Sequence, residues 1–353
     1  MAAVDWSLAE KVAVRAGGND PFAGSYHYSS LSTDFDELTA VAEKQVERAT
    51  GLRSASGAAR ARVTDRPGWV RANVASFQRL VRPLTDRLEQ HMDSPIAPIA
   101  SRVAAVEVGV ILGWMSGRVL GQYDLLVVED ENPEDQDLVY YVGPNVISLE
   151  KRFSFPPREF RHWLALHEVT HRAQFTGIPW MREHFLGLVQ ATVDTMDPDP
   201  KRFLDALGRL AADMRRGRNP LDDGGLMAVF ASAEQRKVLD DVAGLMSLLE
   251  GHGDITMDRA GADQIPSAER FGEVLRQRRQ QANPAVKVLQ KLIGLDAKMK
   301  QYEQGEDFIR RVEAEGGPEL LDLAWVEAAN LPTIAEIRDP DSWIRRVAPT
   351  VAA

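Results

Sequence analysis

Residues 156–177 are PPREFRHWLALHEVTHRAQFTG. Pro156-Pro157 suits a helix start, and Gly177 followed by Pro179 suits its end, so one long helix is predicted between them. Inside it, His167-Glu168-Val169-Thr170-His171 has the spacing HExxH. A four-residue step puts the two imidazoles one turn apart on one face, where both can reach a single ion. Glu168 is offset from them by roughly 100° around the helix, so it can take a proton from water without being a ligand. Phe160, Trp163, Leu164 and Gln174 fall near the side of the two histidines, a mostly buried side of the kind that supports a metal site. A plainer alternative is two core histidines bonded to backbone, which would need a buried partner for each ring.

Composition narrows what such a site can be. The 353 residues contain no cysteine, which removes disulfide frameworks, thiolate zinc fingers, iron-sulfur clusters and cysteine nucleophiles. A transition metal would have to be held by His, Asp and Glu. With 44% hydrophobic and 27% charged residues the chain reads as globular and soluble. Its net charge of -10 gives no general attraction to nucleic acid or to anionic membranes. The segment from Met1 to Trp6 has neither a basic nor an apolar leader region, so a cytoplasmic location is expected. The most apolar stretch, Val103 to Leu120, is interrupted by Glu107 and approaches Arg118; it is read as a buried helix rather than a membrane span.

Catalytic zinc takes three protein ligands and keeps one position open. The sequence Glu250-Gly-His-Gly-Asp254 supplies the third. Glu250 and Asp254 extend the ridge of Val238, Val242 and Met246 and so point toward the core, where a carboxylate demands a cation. Glu250 is therefore the expected ligand. Asp254, one turn on, is placed to accept the spare N–H of a liganded histidine, with His167 as the expected partner. His252 remains the alternative third ligand, because Gly251 and Gly253 leave the local helix geometry open.

Elsewhere Asp65 can cap a helix in which Val70, Val74, Phe77, Val81, Leu84 and Leu88 share one face. A helix from about Ile99 to Gln122 carries Ala105, Gly109, Gly113, Gly117 and Gly121 along one ridge, which lets another backbone come close, either for tight packing or to stiffen a site. An acidic loop over 129–137 precedes the best β signal, Asp137 to Glu150, read as one or two strands broken at Gly143-Pro144. Further helices are predicted near 180–192, 200–215, 225–252, 268–281, 284–294 and 306–315.

These residues carry a resemblance. HExxH followed at a distance by ExxxD resembles the gluzincin arrangement of zinc metallopeptidases. More specifically, the chain resembles a zincin-like metallopeptidase family common in actinobacteria, whose members are assigned as hydrolases or associated with deazaflavin-coenzyme biosynthesis. The matching segments are 65–73, DRPGWVRAN; 118–124, RVLGQYD; 141–145, YVGPN; 166–175, LHEVTHRAQF; 249–252, LEGH; and 300–305, KQYEQG. They span nearly the whole chain. The resemblance implies a mainly α (α+β) fold, a zincin-like core with a small β-sheet. It favours one catalytic unit over 1–353, with an N-terminal helical part (1–98), a metal-binding core (99–260) and a C-terminal helical part (261–353).

The expected function is that of a zinc-dependent hydrolase, a metallopeptidase cleaving a peptide or amide bond with Zn2+ on His167, His171 and Glu250 and with Glu168 as general base. The strand at Val139 to Leu149 is the expected edge against which an extended peptide pairs. Tyr302 and His184 are placed ahead of Tyr123 and Tyr140 as substrate or oxyanion contacts. The alternatives are a non-catalytic zinc-stabilised binding protein and a zinc hydrolase of a small molecule. No nucleic-acid or membrane partner is expected.

Overall fold

The computed structural model describes residues 3–20, 22, 25–82, 85–86, 97–125, 137–195, 233–280 and 295–348. The chain divides into two compact units, one made of residues 1–182 with 256–272 and the other of 183–255 with 273–353. Helix dominates both, with one three-stranded sheet.

In the first unit, α1 (Trp6–Ala16), α2 (Leu31–Thr50), β1 (Arg60–Thr64), α3 (Arg66–Leu80), α4 (Ala97–Ser116), β2 (Gly121–Tyr123), β3 (Leu138–Val142), α5 (Gly143–Phe153) and α6 (Pro157–Gly177) follow one another. The sheet has the order β1-β3-β2. β3 pairs in parallel with β1, Arg60 facing Leu138 and Thr64 facing Val142. It pairs antiparallel with β2, Gly121 facing Tyr141. β3 is therefore the central strand, which corrects its expected role as an edge. The strand also stops at Val142. Pro144 enters the first turn of α5, where its missing N–H costs nothing and its fixed φ suits a helix, so the following Val-Ile run coils instead of extending.

The glycine ridge divides in the same way. Only its first part is helical, because α4 ends at Ser116 and the Arg118 and Val119 amides close the last turn on the Met115 carbonyl. A Cβ at Gly109 would stand 2.6 Å from the Ala9 oxygen and one at Gly113 2.5 Å from the Ala13 oxygen, so these glycines let α1 lie directly on α4. The opposite face of α4 is open. Ile99 is 64% and Val103 53% exposed, which corrects the reading of this stretch as a buried helix. Among the described residues, Pro98–Ser116 is long and apolar enough to cross a membrane by length and composition.

α3 begins as the sequence predicts, with the Asp65 Oδ1 accepting from the Gly68 amide at 2.6 Å. Trp69, Val70 and Val74 then pack with Ala13 and Val142. Phe155, Phe160, Trp163 and Phe271 form an aromatic cluster at the start of α6, with ring centroids 4.8 to 6.1 Å apart.

α7 (Met181–Asp194) and α8 (Ala233–Gly261) come next, then α9 (Ala268–Gln280), α10 (Leu295–Gly316), α11 (Pro318–Val326), α12 (Ile334–Arg338) and α13 (Pro340–Val347). In the second unit Leu248, Ile255, Phe308, Ile309, Val312, Leu321 and Trp343 share one core. α8 does not end near Gly251 as its glycines suggest. That residue meets the backbone of α10 instead, and a Cβ there would stand 2.6 Å from the Glu306 nitrogen. The helix segments predicted over 200–215 and 284–294, the start of the one over 225–252, and the acidic loop before Asp137 lie outside the described residues.

Candidate metal centre

α6 carries HExxH, and two buried arginines hold it from behind. Arg172 is 1% exposed. Its Nε and Nη2 donate to the two Asp137 carboxylate oxygens at 3.0 and 2.6 Å. Nη1 donates to Glu43 at 2.7 Å, and Nη2 also reaches the Gly57 carbonyl at 2.8 Å. One guanidinium thus ties α6 to α2, to the chain before β1 and to the residue before β3. Arg161, about three turns earlier on the same face, donates to both Glu150 oxygens at 2.7 and 3.0 Å and also pairs with Asp34. Bidentate pairs of this kind fix orientation as well as distance.

His167 and His171 are thereby presented on the other side of a fixed helix. Their Nε2 atoms face each other at 3.2 Å, the rings lying 85° apart with centroids at 4.6 Å. Two nitrogens each about 2.0–2.1 Å from a tetrahedral zinc ion stand roughly 3.3 Å apart, so the pair fits as two ligands of one ion. The Nδ1 of His171 lies 3.0 Å from the Gln174 Oε1.

Glu168 is 6% exposed, and its carboxylate rests on β2. A Cβ at Gly121 would come within 2.6 Å of its Oε1 and 2.8 Å of its Cδ. Glycine at this position is what lets the acid lie flat against the strand. Gln122, the next residue, faces away and is held by the Trp69 indole N–H at 2.9 Å and by Asn73 at 3.2 Å, so the strand itself is pinned. Gly121→Ala is therefore expected to leave the fold and metal content in place but to push the carboxylate aside. A misplacement of about 1 Å can cost on the order of 100-fold in rate. Zinc content and kcat measured on the same preparation check this.

The remaining candidates divide between the units. Glu250 and Asp254 are partly buried on α8. His252 is 7% exposed and sets its ring edge-on to Trp325 at 5.1 Å. His184 lies on α7, where burial pushes its pKa down against the opposing pull of Asp241. Tyr302 falls on α10, and its side chain is outside those described. Tyr123 stacks with Phe175 at 6.3 Å. Burial, with Asp137 bonded beside it, holds its phenol well above the ordinary value, which makes Tyr123 part of the anchoring network behind α6. The Tyr140 ring has Arg62 over it, at 6.0 Å.

Sequence reasoning missed two contributors. Gly121 was visible only as one member of a helical ridge. Asp137 was visible only as the end of an acidic loop. Neither carries a local signal, because each acquires its role from a partner on α6.

A family model described as zincin-like metallopeptidase matches residues 4–344. A crystal structure from Chloroflexus aurantiacus, presented as that of a proposed hydrolase with a novel fold, is 28% identical with a TM-score of 0.73, over 97% of this chain and 98% of that one. No curated protein matches the sequence.

Proposed function

The chain belongs to the zincin-like metallopeptidase family, and we propose that it is a zinc-dependent hydrolase that cleaves a peptide or amide bond, with His167, His171 and Glu250 holding the ion. The observation that carries the reading is the pair of Nε2 atoms 3.2 Å apart, with a buried carboxylate at the position next to the first histidine. An open, cysteine-free donor set of this kind is that of a catalytic site, since structural zinc sites are closed and usually rich in thiolate. Glu250 is the third ligand in this proposal. Its support is chemical: a partly buried carboxylate on the α8 ridge is stabilised by a cation, whereas the ring of the alternative, His252, is already packed on Trp325.

Zinc held there would supply a Lewis acid that polarises the scissile carbonyl and brings water within reach of ionisation near neutral pH. Glu168 takes the proton from the attacking water and returns it to the leaving amine, acting as general base and then general acid. β2 stands at the end of the strand order, directly under Glu168. An extended substrate pairing with it would lay its scissile bond beside that carboxylate. Asp254 orients His167 in this scheme, and His184 and Tyr302 are the substrate contacts to try first. The proposal takes the whole chain as one catalytic unit, in keeping with the extent of the family match. It takes the location as cytoplasmic and excludes nucleic-acid and membrane partners, in keeping with the net charge of -10.

Metal analysis tests the reading. Protein prepared without chelator is expected to carry one zinc per chain, and His167→Ala to carry none. Separate replacement of Glu250 and His252 by alanine is expected to lower zinc affinity only in the first. Wild-type protein without stoichiometric metal would sink the proposal.

A further inference from the structure

Gln174 is 0% exposed, on the last full turns of α6 and close in sequence to the buried Val169, Thr170 and Ala173. An amide in such a place needs a specific partner, and the Oε1 of Gln174 finds one in the His171 Nδ1 at 3.0 Å. The two residues are three apart on α6, so the helix itself sets their separation and little freedom has to be frozen. A neutral imidazole carries one N–H, and the nitrogen that keeps it is settled by what the ring meets. An acceptor oxygen at Nδ1 claims the proton there. The Nε2 is left with its lone pair, aimed at the Nε2 of His167 3.2 Å away.

From this geometry we infer that Gln174 is a positioning residue for the metal, fixing His171 in the tautomer that can bind a cation and holding its ring plane. The inference rests on the reading of His171 as a ligand. A donor in the same place would force the proton onto Nε2 and close His171 to the ion. An apolar residue of similar size would fill the space and leave the ring free to take either tautomer. Partners of metal-bound histidines commonly carry about 10- to 100-fold in metal affinity. The distinction is therefore one of binding, before any substrate is present.

The experiment uses the full chain and zinc itself as the probe. Zinc dissociation constants are measured by chelator competition for wild type, Gln174→Leu, Gln174→Glu and His171→Ala, and apo thermal melts are recorded for each. In parallel, two-bond 1H–15N spectra of histidine-labelled apo protein read the tautomer of His171 directly. Gln174→Leu is expected to weaken zinc by about 10- to 100-fold and to lose the Nδ1–H tautomer, with its melt close to wild type. Gln174→Glu restores an acceptor and is expected to restore both readouts. His171→Ala is expected to lose stoichiometric zinc. If Gln174→Leu does not fold, Gln174→Met, closer in length, takes its place. Wild-type zinc affinity in the Leu or Met variant, while His171→Ala loses the metal, would overturn the inference and leave the ligand reading standing. Zinc retained by His171→Ala would overturn the ligand reading, and the inference with it.

Discussion

Glu168→Gln is expected to lower the hydrolytic rate by about 10²- to 10⁴-fold while zinc content stays at the wild-type level. The amide keeps the shape of the carboxylate and can lie on Gly121 in the same pose, but it cannot accept a proton from water at neutral pH. The loss belongs to kcat more than to KM, because proton transfer is stabilisation realised in the transition state. Turnover of a peptide library, with metal analysis of the same sample, gives the answer. Unchanged turnover would remove Glu168 as the base. Loss of zinc alongside activity would instead make Glu168 part of the donor set. Zinc bound with no turnover on any substrate, in wild type as well, would favour a binding protein over an enzyme.

The second large effect is on stability. Arg172→Ala should destabilise the fold by about 3 kcal/mol, the lower end of the range for breaking a buried ion pair. That end is appropriate because the two carboxylates left behind are 17% and 24% exposed at Asp137 and Glu43, so water relieves part of the cost. Urea titration of metal-free protein measures the change. A shift of the midpoint without a change in slope assigns the effect to the folded network. Lysine should not rescue it, since one ammonium cannot grip both Asp137 oxygens while also reaching Glu43 and Gly57. A change below about 1 kcal/mol, the scale of an exposed pair, would mean that the network is not what anchors α6.

The parts of this molecule that the sequence makes legible are those whose signals are local. Pro157 and Gly177 bracket α6 because one suits a first helical turn and the other a last. Asp65 announces α3 through a cap three residues long. HExxH needs only the pitch of its own helix. The sheet is a different matter. β1 is RARVT, whose arginines mask any apolar alternation, and β2 has three residues, one of them glycine. Both are strands because β3 lies between them, and that is a fact about pairing across long stretches of chain. α8 passes through Gly251 for the same kind of reason. Glycine there looks like a stop until Gly305, far along the chain, is seen to occupy the space.

That meeting of Gly251 and Gly305 governs the neighbouring acid. Backbone meets backbone where these two glycines touch, so a shift of one helix along the other finds little slack there. The residue next to Glu250 is pressed against the main chain of Gly305 and Glu306, as an axle is against a bearing without play. The backbone that carries Glu250 consequently takes its position from α10, and a single added methyl group at either glycine would act as a wedge that moves Glu250 while changing none of its own atoms.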